Sequence, residues 1–202
     1  MADKQPTDKE PVRRVLAFDE AVKLSEPPLR AGSCVLADPK IAEIVQGALL
    51  FFERKRYFLL SWCIMPNHVH AIFAPLGDET LSKVLHSWKS FTANAINKRL
   101  GRSGAIWERE SFDHVIRSVE DVDRFCDYVE HNAVQAGMCA SCEDWPFCSK
   151  GCRFEGSENW AFVDPRKISF VSPVSRGELP HLPKPGCTYF VTFRLWDAIG
   201  GR

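Results

Sequence analysis

Polarity along the chain marks out three stretches of helical spacing and four of extended spacing. After Asp38-Pro39, the residues Ile41, Ile44, Val45, Ala48, Leu49 and Phe52 recur at three- and four-residue intervals, as one helix face requires. Asp38 can cap this helix and Pro39 suits its first position. Tyr57–Ile64 and His68–Ala74 are apolar, β-prone runs. Only Met65-Pro66-Asn67 separates them, which predicts an antiparallel hairpin. Thr80 can cap a long helix reaching about Arg99, with Leu81, Val84, Leu85, Trp88, Phe91, Ala95 and Ile96 as its inner stripe. Gly101–Gly104 breaks the pattern. Phe112–Arg117 reads as a short strand. Ser118, with Asp121 three residues on, starts a helix to about Val134 that Gly137 stops. The clearest β signal comes last, at Cys187–Arg194, which is aromatic, β-branched and alternating.

Four strands and three helices predict an α+β sandwich, with the helices on one sheet face. A strand isolated near the C-terminus must pair with something, either its own chain or a second copy. Residues 1–33 are rich in proline and charge, with a short helical patch near Arg14–Leu24, and predict a partly ordered extension. Residues 34–150 hold the periodic core, 151–175 form a loop-rich connector, and 176–202 supply the last strand.

Composition narrows the picture. The chain has 202 residues, 45% hydrophobic and 26% charged, enough for one buried core. The net charge is zero, which argues against coating nucleic acid by bulk charge. Charge is uneven, however. Between residues 81 and 109, Lys83, Lys89, Lys98, Arg99, Arg102 and Arg109 face a single acid, Glu108, with Trp88, Phe91 and Trp107 interleaved. This is either a nucleic-acid surface or a solvated helix face with packed aromatics. No apolar run of about 18 residues suggests a membrane span, and the polar start has no signal-peptide core, so a cytoplasmic protein is expected. Eight cysteines are then expected without disulfides. Cys139, Cys142, Cys148 and Cys152 are spaced C-x2-C-x5-C-x3-C, a tight fit for structural zinc and more in keeping with free thiols.

His68 and His70 stand two apart in a strand, so they share a face, and two adjacent imidazoles can share a divalent cation. The alternative is a pair of partly buried histidines with hydrogen-bond partners. Tyr128 and Asn132 are four apart on a predicted helix and also share a face. Tyr128 can be a nucleophile or a ring anchoring the core. Asn132 can offer an oxygen to a hard cation or cap the helix end. Glu130 and His131 fall on other faces of that helix and stay outside the candidate site. His114 and Asp113 read as structural, or as outer contacts to a metal site.

Several blocks, in order, resemble the single-tyrosine HUH transposases, in particular the REP-associated tyrosine transposases. They are Met65-Pro66-Asn67-His68-Val69-His70, Ile106 through His114, Tyr128-Val129-Glu130-His131-Asn132 through Gly137, and Asp144-Trp145-Pro146-Phe147. With the helix after Asp38-Pro39, the resemblance spans about residues 36–150. Leu179-Pro180-His181 and Thr188 through Leu195 are also similar to the family, in which that piece forms the first strand. Here it stands last, so the chain looks circularly permuted; a strand-swapped homodimer is the alternative. Ala133 departs from the family, which commonly has proline there.

The resemblance implies a ferredoxin-like antiparallel sheet of the HUH endonuclease type. It implies a metal-dependent endonuclease and strand transferase acting on single-stranded or hairpin DNA, such as a repetitive extragenic palindrome. Tyr128 would be the nucleophile and form a 5′-phosphotyrosine. His68, His70 and Asn132 would hold Mg²⁺ or Mn²⁺. Lys83, Lys89, Arg99, Arg102, Arg109, Arg176, His181, Lys184 and Arg194 are the candidate DNA contacts, and Trp88 or Trp107 could stack on unpaired bases. Two rivals share the sequence: a non-catalytic DNA-hairpin binder on the same scaffold, and an α+β module for RNA or protein whose histidine pair is structural.

Overall fold

Asp38 opens the first helix as its side chain suggests, accepting from the Lys40 backbone N–H, and α1 spans Pro39–Phe51. These positions come from a computed structural model, which describes residues 33–151 and 187–196 together with Asp19, Val22 and Lys23. Strands β1 (Tyr57–Ile64) and β2 (His68–Pro75) follow. Helix α2 (Leu81–Leu100) is capped by Thr80 and closed by Gly101, whose φ of 61° is a left-handed conformation that glycine adopts at little cost. Then come β3 (Phe112–Ile116), α3 (Val119–Gln135, capped by Ser118) and β4 (Thr188–Arg194). Asp19, Val22 and Lys23 are helical; the rest of the Arg14–Leu24 patch, the connector after Gly151 and the stretch before Cys187 lie outside the described residues.

All four strands are antiparallel, in the order β1-β2-β4-β3. The C-terminal strand therefore sits inside the sheet, between β2 and β3 of its own chain. Taken first, β4 gives the element order β-α-β-β-α-β, the ferredoxin-like pattern, with α3 appended. The expected α+β class and four-stranded antiparallel sheet are observed.

The placement of the helices differs from expectation. They cover both sheet faces. Val69, Ala71, Phe73, Tyr189, Val191 and Phe193 meet α1 and α2 in one cluster. Leu60, Cys63, Ile72 and Phe190 meet Val122, Phe125, Tyr128 and Val129 of α3 in a second. Nearly every residue of β1, and every residue of β2, is buried, as a sheet covered on both sides requires.

The first cluster is knit by satisfied polar atoms. Tyr57 Oη donates to the Leu49 carbonyl at 2.8 Å and accepts from Trp88 Nε1 at 2.8 Å. Trp107 Nε1 donates to Thr92 Oγ1 at 2.8 Å. Both tryptophans are buried with their N–H groups committed, so neither is placed to stack on a base. Phe91, expected on the inner stripe, is 60% exposed; Thr92 takes the buried position beside it.

The free edge of β1 is covered by residues 147–149. Ile64 N donates to Phe147 O, Ser149 N donates to Trp62 O, and Cys63 bridges Cys148. Trp145 Nε1 donates to Ile64 O at 3.1 Å. Among the described residues no disulfide links Cys34, Cys63, Cys126, Cys139, Cys142, Cys148 or Cys187, and Cys152 lies outside the described residues. No helix among the described residues is long and apolar enough to cross a membrane.

Candidate active site

Strand alternation places His68, His70 and Ile72 on the sheet face that α3 covers. The register sets Arg194 opposite His68, Thr192 opposite His70 and Phe190 opposite Ile72. On the far side of β4, Phe112 stands opposite Thr192 and His114 opposite Phe190. Paired residues of an antiparallel ladder share a face. One sheet surface thus gathers side chains from three strands, two of which are over 100 positions apart in sequence.

A hydrogen-bond chain runs across this surface. Asn67 Oδ1 lies 2.8 Å from His68 Nδ1, the two Nε2 atoms of His68 and His70 are 2.9 Å apart, and His70 Nδ1 lies 2.8 Å from Thr192 Oγ1. The carboxamide oxygen at one end only accepts, so His68 Nδ1 donates to it. His68 Nε2 then carries a lone pair and accepts from His70 Nε2, and His70 Nδ1 accepts from the Thr192 hydroxyl.

The pair is almost solvent-free, with His68 2% exposed and His70 at 0%. Burial pulls the His68 pKa down to about 3, with the Arg194 guanidinium adding to the effect. Burial, then His68, then Arg194, holds His70 well below the usual imidazole range. Both rings are therefore neutral at pH 7 and able to offer lone pairs.

Their spacing also suits a shared ion. Two nitrogens about 2.1 Å from an octahedral ion, at right angles, lie about 3 Å apart. Among the described residues no cluster of three or more His, Cys, Asp or Glu side chains could hold a metal. A third protein ligand here would have to be of another type, which leaves room for the Asn132 carboxamide.

Tyr128 and Asn132 both face the sheet from α3, at 6% and 5% exposure. The Tyr128 ring meets His70 edge-on at 5.5 Å between centroids and Phe190 at 6.0 Å. The structure thus brings Tyr128 to the histidine pair. It also places Asn132 on the same buried face of α3, one turn further on.

Glu130 is not the bystander the helix geometry suggests. It is 2% exposed, accepts from Ser149 Oγ at 3.1 Å and pairs with Lys150 Nζ at 2.9 Å. It ties α3 to the segment covering β1, which fixes the helix carrying Tyr128. His131 stays outside the site, its Nδ1 donating to Asp127 O at 2.8 Å. His114 packs on Phe125 at 5.4 Å and is separated from His70 by Phe190.

The candidate DNA contacts divide. Arg194 stands beside His68. Lys83 and Arg99 are exposed, and Lys89 half-buried, on α2 across the sheet from the histidines. Lys89 Nζ donates to Arg109 O and Ser111 Oγ, each at 3.1 Å. Arg102 is exposed after α2. Arg109 is exposed in the loop whose Glu108 N donates to Arg194 O, so it stands near the site end of β4. Arg176, His181 and Lys184 lie outside the described residues.

The buried, neutral pair gives a pH prediction for the metal-free protein. In the unfolded chain the imidazoles take up protons near pH 6.5; folded His68 does so only near 3. Its contribution to stability is complete above pH 6.5 and is lost as the pH falls toward 3. By linkage, His68 alone costs on the order of 2 kcal/mol at pH 5. Melting curves in EDTA should show a lower Tm at pH 5 than at pH 7, and a smaller drop in the double variant His68→Gln/His70→Gln. Equal drops in both proteins would contradict this.

Comparison with known proteins gives this chain relatives. The family described as "Transposase IS200 like" matches residues 37–132, just under half of the chain. The match is to the IS200-like transposases. The REP-associated tyrosine transposase of Escherichia coli K12 is 28% identical over 107 residues, which cover 52% of this chain and 62% of that protein. A Haemophilus influenzae relative is also 28% identical over 107 residues, covering 48% of this chain and 61% of its own length. The chain thus matches about six-tenths of the length of these curated relatives. A solved structure of a REP-associated tyrosine transposase bound to a REP hairpin aligns at 24% identity with a TM-score of 0.49, covering 72% of this chain and 83% of that one. The resemblance to REP-associated tyrosine transposases read from the sequence blocks is borne out.

Proposed function

We propose that this IS200-like protein is a metal-dependent, single-strand DNA endonuclease and strand transferase acting on hairpin DNA through Tyr128. The observation that carries the proposal is the meeting of Tyr128 with the neutral His68–His70 pair on one covered sheet surface. The names of the IS200-like and REP-associated relatives point the same way.

In this reading Tyr128 Oη gives up its proton and attacks phosphorus. The Oη–P bond forms and the P–O3′ bond breaks. The departing 3′ oxygen gains a proton and becomes a free hydroxyl, and the 5′ phosphate stays on the tyrosine. Attack by another 3′-hydroxyl on that phosphotyrosine joins the strands and returns the phenol. His68, His70 and Asn132 would hold a divalent ion, Mg²⁺ or Mn²⁺, which would draw negative charge from the scissile phosphate. Arg194 adds fixed positive charge beside His68. Because α2 lies across the sheet, a hairpin using its lysines must pass around the β3 edge by way of Arg109.

The near burial of the constellation favours one further reading, a hairpin binder that does not cut. An assay separates the two. The protein is incubated with single-stranded hairpin DNA labelled 3′ of candidate sites, in Mn²⁺ or in EDTA. The proposal expects a covalent protein–DNA band in Mn²⁺ that EDTA removes. Gel-shift binding with no covalent band in either condition would favour the binder.

A further inference from the structure

We propose that Thr192, on the C-terminal strand, is a positioning residue whose hydroxyl holds the His70 ring so that its Nε2 can serve as a ligand. This rests on the reading of His68 and His70 as metal ligands and deepens it. Thr192 is fully buried, and its Oγ1 lies 2.8 Å from His70 Nδ1 across 122 positions of sequence. The neighbouring rings of Phe190 and Tyr128 fix the plane of His70 by contact alone, the former stacked at 5.7 Å. Among the described residues, Thr192 is the one that engages Nδ1 with a hydrogen bond.

The hydroxyl has two states to serve. Without a cation, His70 Nε2 donates to His68 Nε2 and the Thr192 hydroxyl donates to Nδ1. For His70 to offer the Nε2 lone pair, its proton must sit on Nδ1, and the partner of Nδ1 must then accept. A hydroxyl does either by rotating about its C–O bond. A methyl group does neither. At the other end of the chain, Asn67 Oδ1 already accepts from His68 Nδ1, so His68 needs no such exchange. The demand for a group that both donates and accepts falls on Thr192 alone.

Strand β4 then has a second task. It pairs with β2 and β3, and it also supplies a group to the ligand surface of β2. The C-terminal segment thus completes the site chemically as well as structurally.

The test uses the full chain as wild type, Thr192→Val and Thr192→Ser, with the Mn²⁺ dissociation constant measured by titration calorimetry. Thr192→Val should weaken Mn²⁺ binding about 10- to 100-fold, as loss of an outer-sphere partner typically does. Thr192→Ser keeps the hydroxyl and should stay within about threefold of wild type. Should the Val variant fail to fold, Thr192→Ala takes its place against Thr192→Ser. Equal affinities in all folded proteins would overturn the role of Thr192 and leave the metal reading standing. No Mn²⁺ binding by the wild type would overturn both.

Discussion

Replacing Tyr128 by phenylalanine should abolish the covalent protein–DNA product, while hairpin binding stays within about threefold of wild type. The substitution removes one oxygen and keeps the ring that packs on His70 and Phe190. The loss of one hydroxyl should lower stability by no more than about 1.5 kcal/mol. Cleavage should fall by about three orders of magnitude or more, because a phenyl ring has no nucleophile to offer. The measurement pairs a denaturing gel for the covalent band with a native gel for binding. Loss of both signals would mean that the hydroxyl holds the fold. Retention of both would place the nucleophile elsewhere.

Phe190→Ala should be the most destabilising of the single changes considered, at about 3–5 kcal/mol. Phe190 is fully buried at the centre of the α3 side of the sheet. Its ring lies 4.9 Å from Phe125, 6.0 Å from Tyr128, 6.0 Å from Phe112 and 5.7 Å from His70. Total stability for a domain of this kind is about 5–15 kcal/mol, so the variant would lose a large share of it. Urea unfolding of both proteins gives the difference directly. A loss below about 1 kcal/mol would mean that the C-terminal strand does not sit inside the sheet, and would remove Thr192 from the site with it.

Much of this architecture can be read from local sequence, because the elements carry their own boundaries. Asp38, Thr80 and Ser118 each accept a backbone N–H at the start of the helix they were expected to cap. The three-residue turn after Ile64 gives the hairpin, and two-residue alternation puts His68 and His70 on one face. The helices cover both sheet faces rather than one, and the strands themselves carry the reason. Tyr57–Ile64 and His68–Ala74 are apolar on both faces, which means cover on both sides.

Other features depend on contacts that no local pattern encodes. Thr192 looks like any β-branched strand residue until the register sets it opposite His70. Glu130 looks solvated on a helical wheel, yet it is buried against Ser149 and Lys150. Trp88 and Trp107 resemble a stacking surface in sequence, but Tyr57 and Thr92 claim their N–H groups in the core. The basic side chains of α2 lie across the sheet from the histidines, a separation that only the packing of the helices sets.

The most direct test of the account is to find the atom that joins protein to DNA. The wild-type protein would be reacted with hairpin DNA in Mn²⁺, the adduct digested with nuclease and protease, and the modified peptide sequenced by mass spectrometry. The expected product is a nucleotide attached through its 5′ phosphate to Tyr128. A nucleotide attached to another residue, or a cut DNA strand with no protein adduct at all, would contradict it.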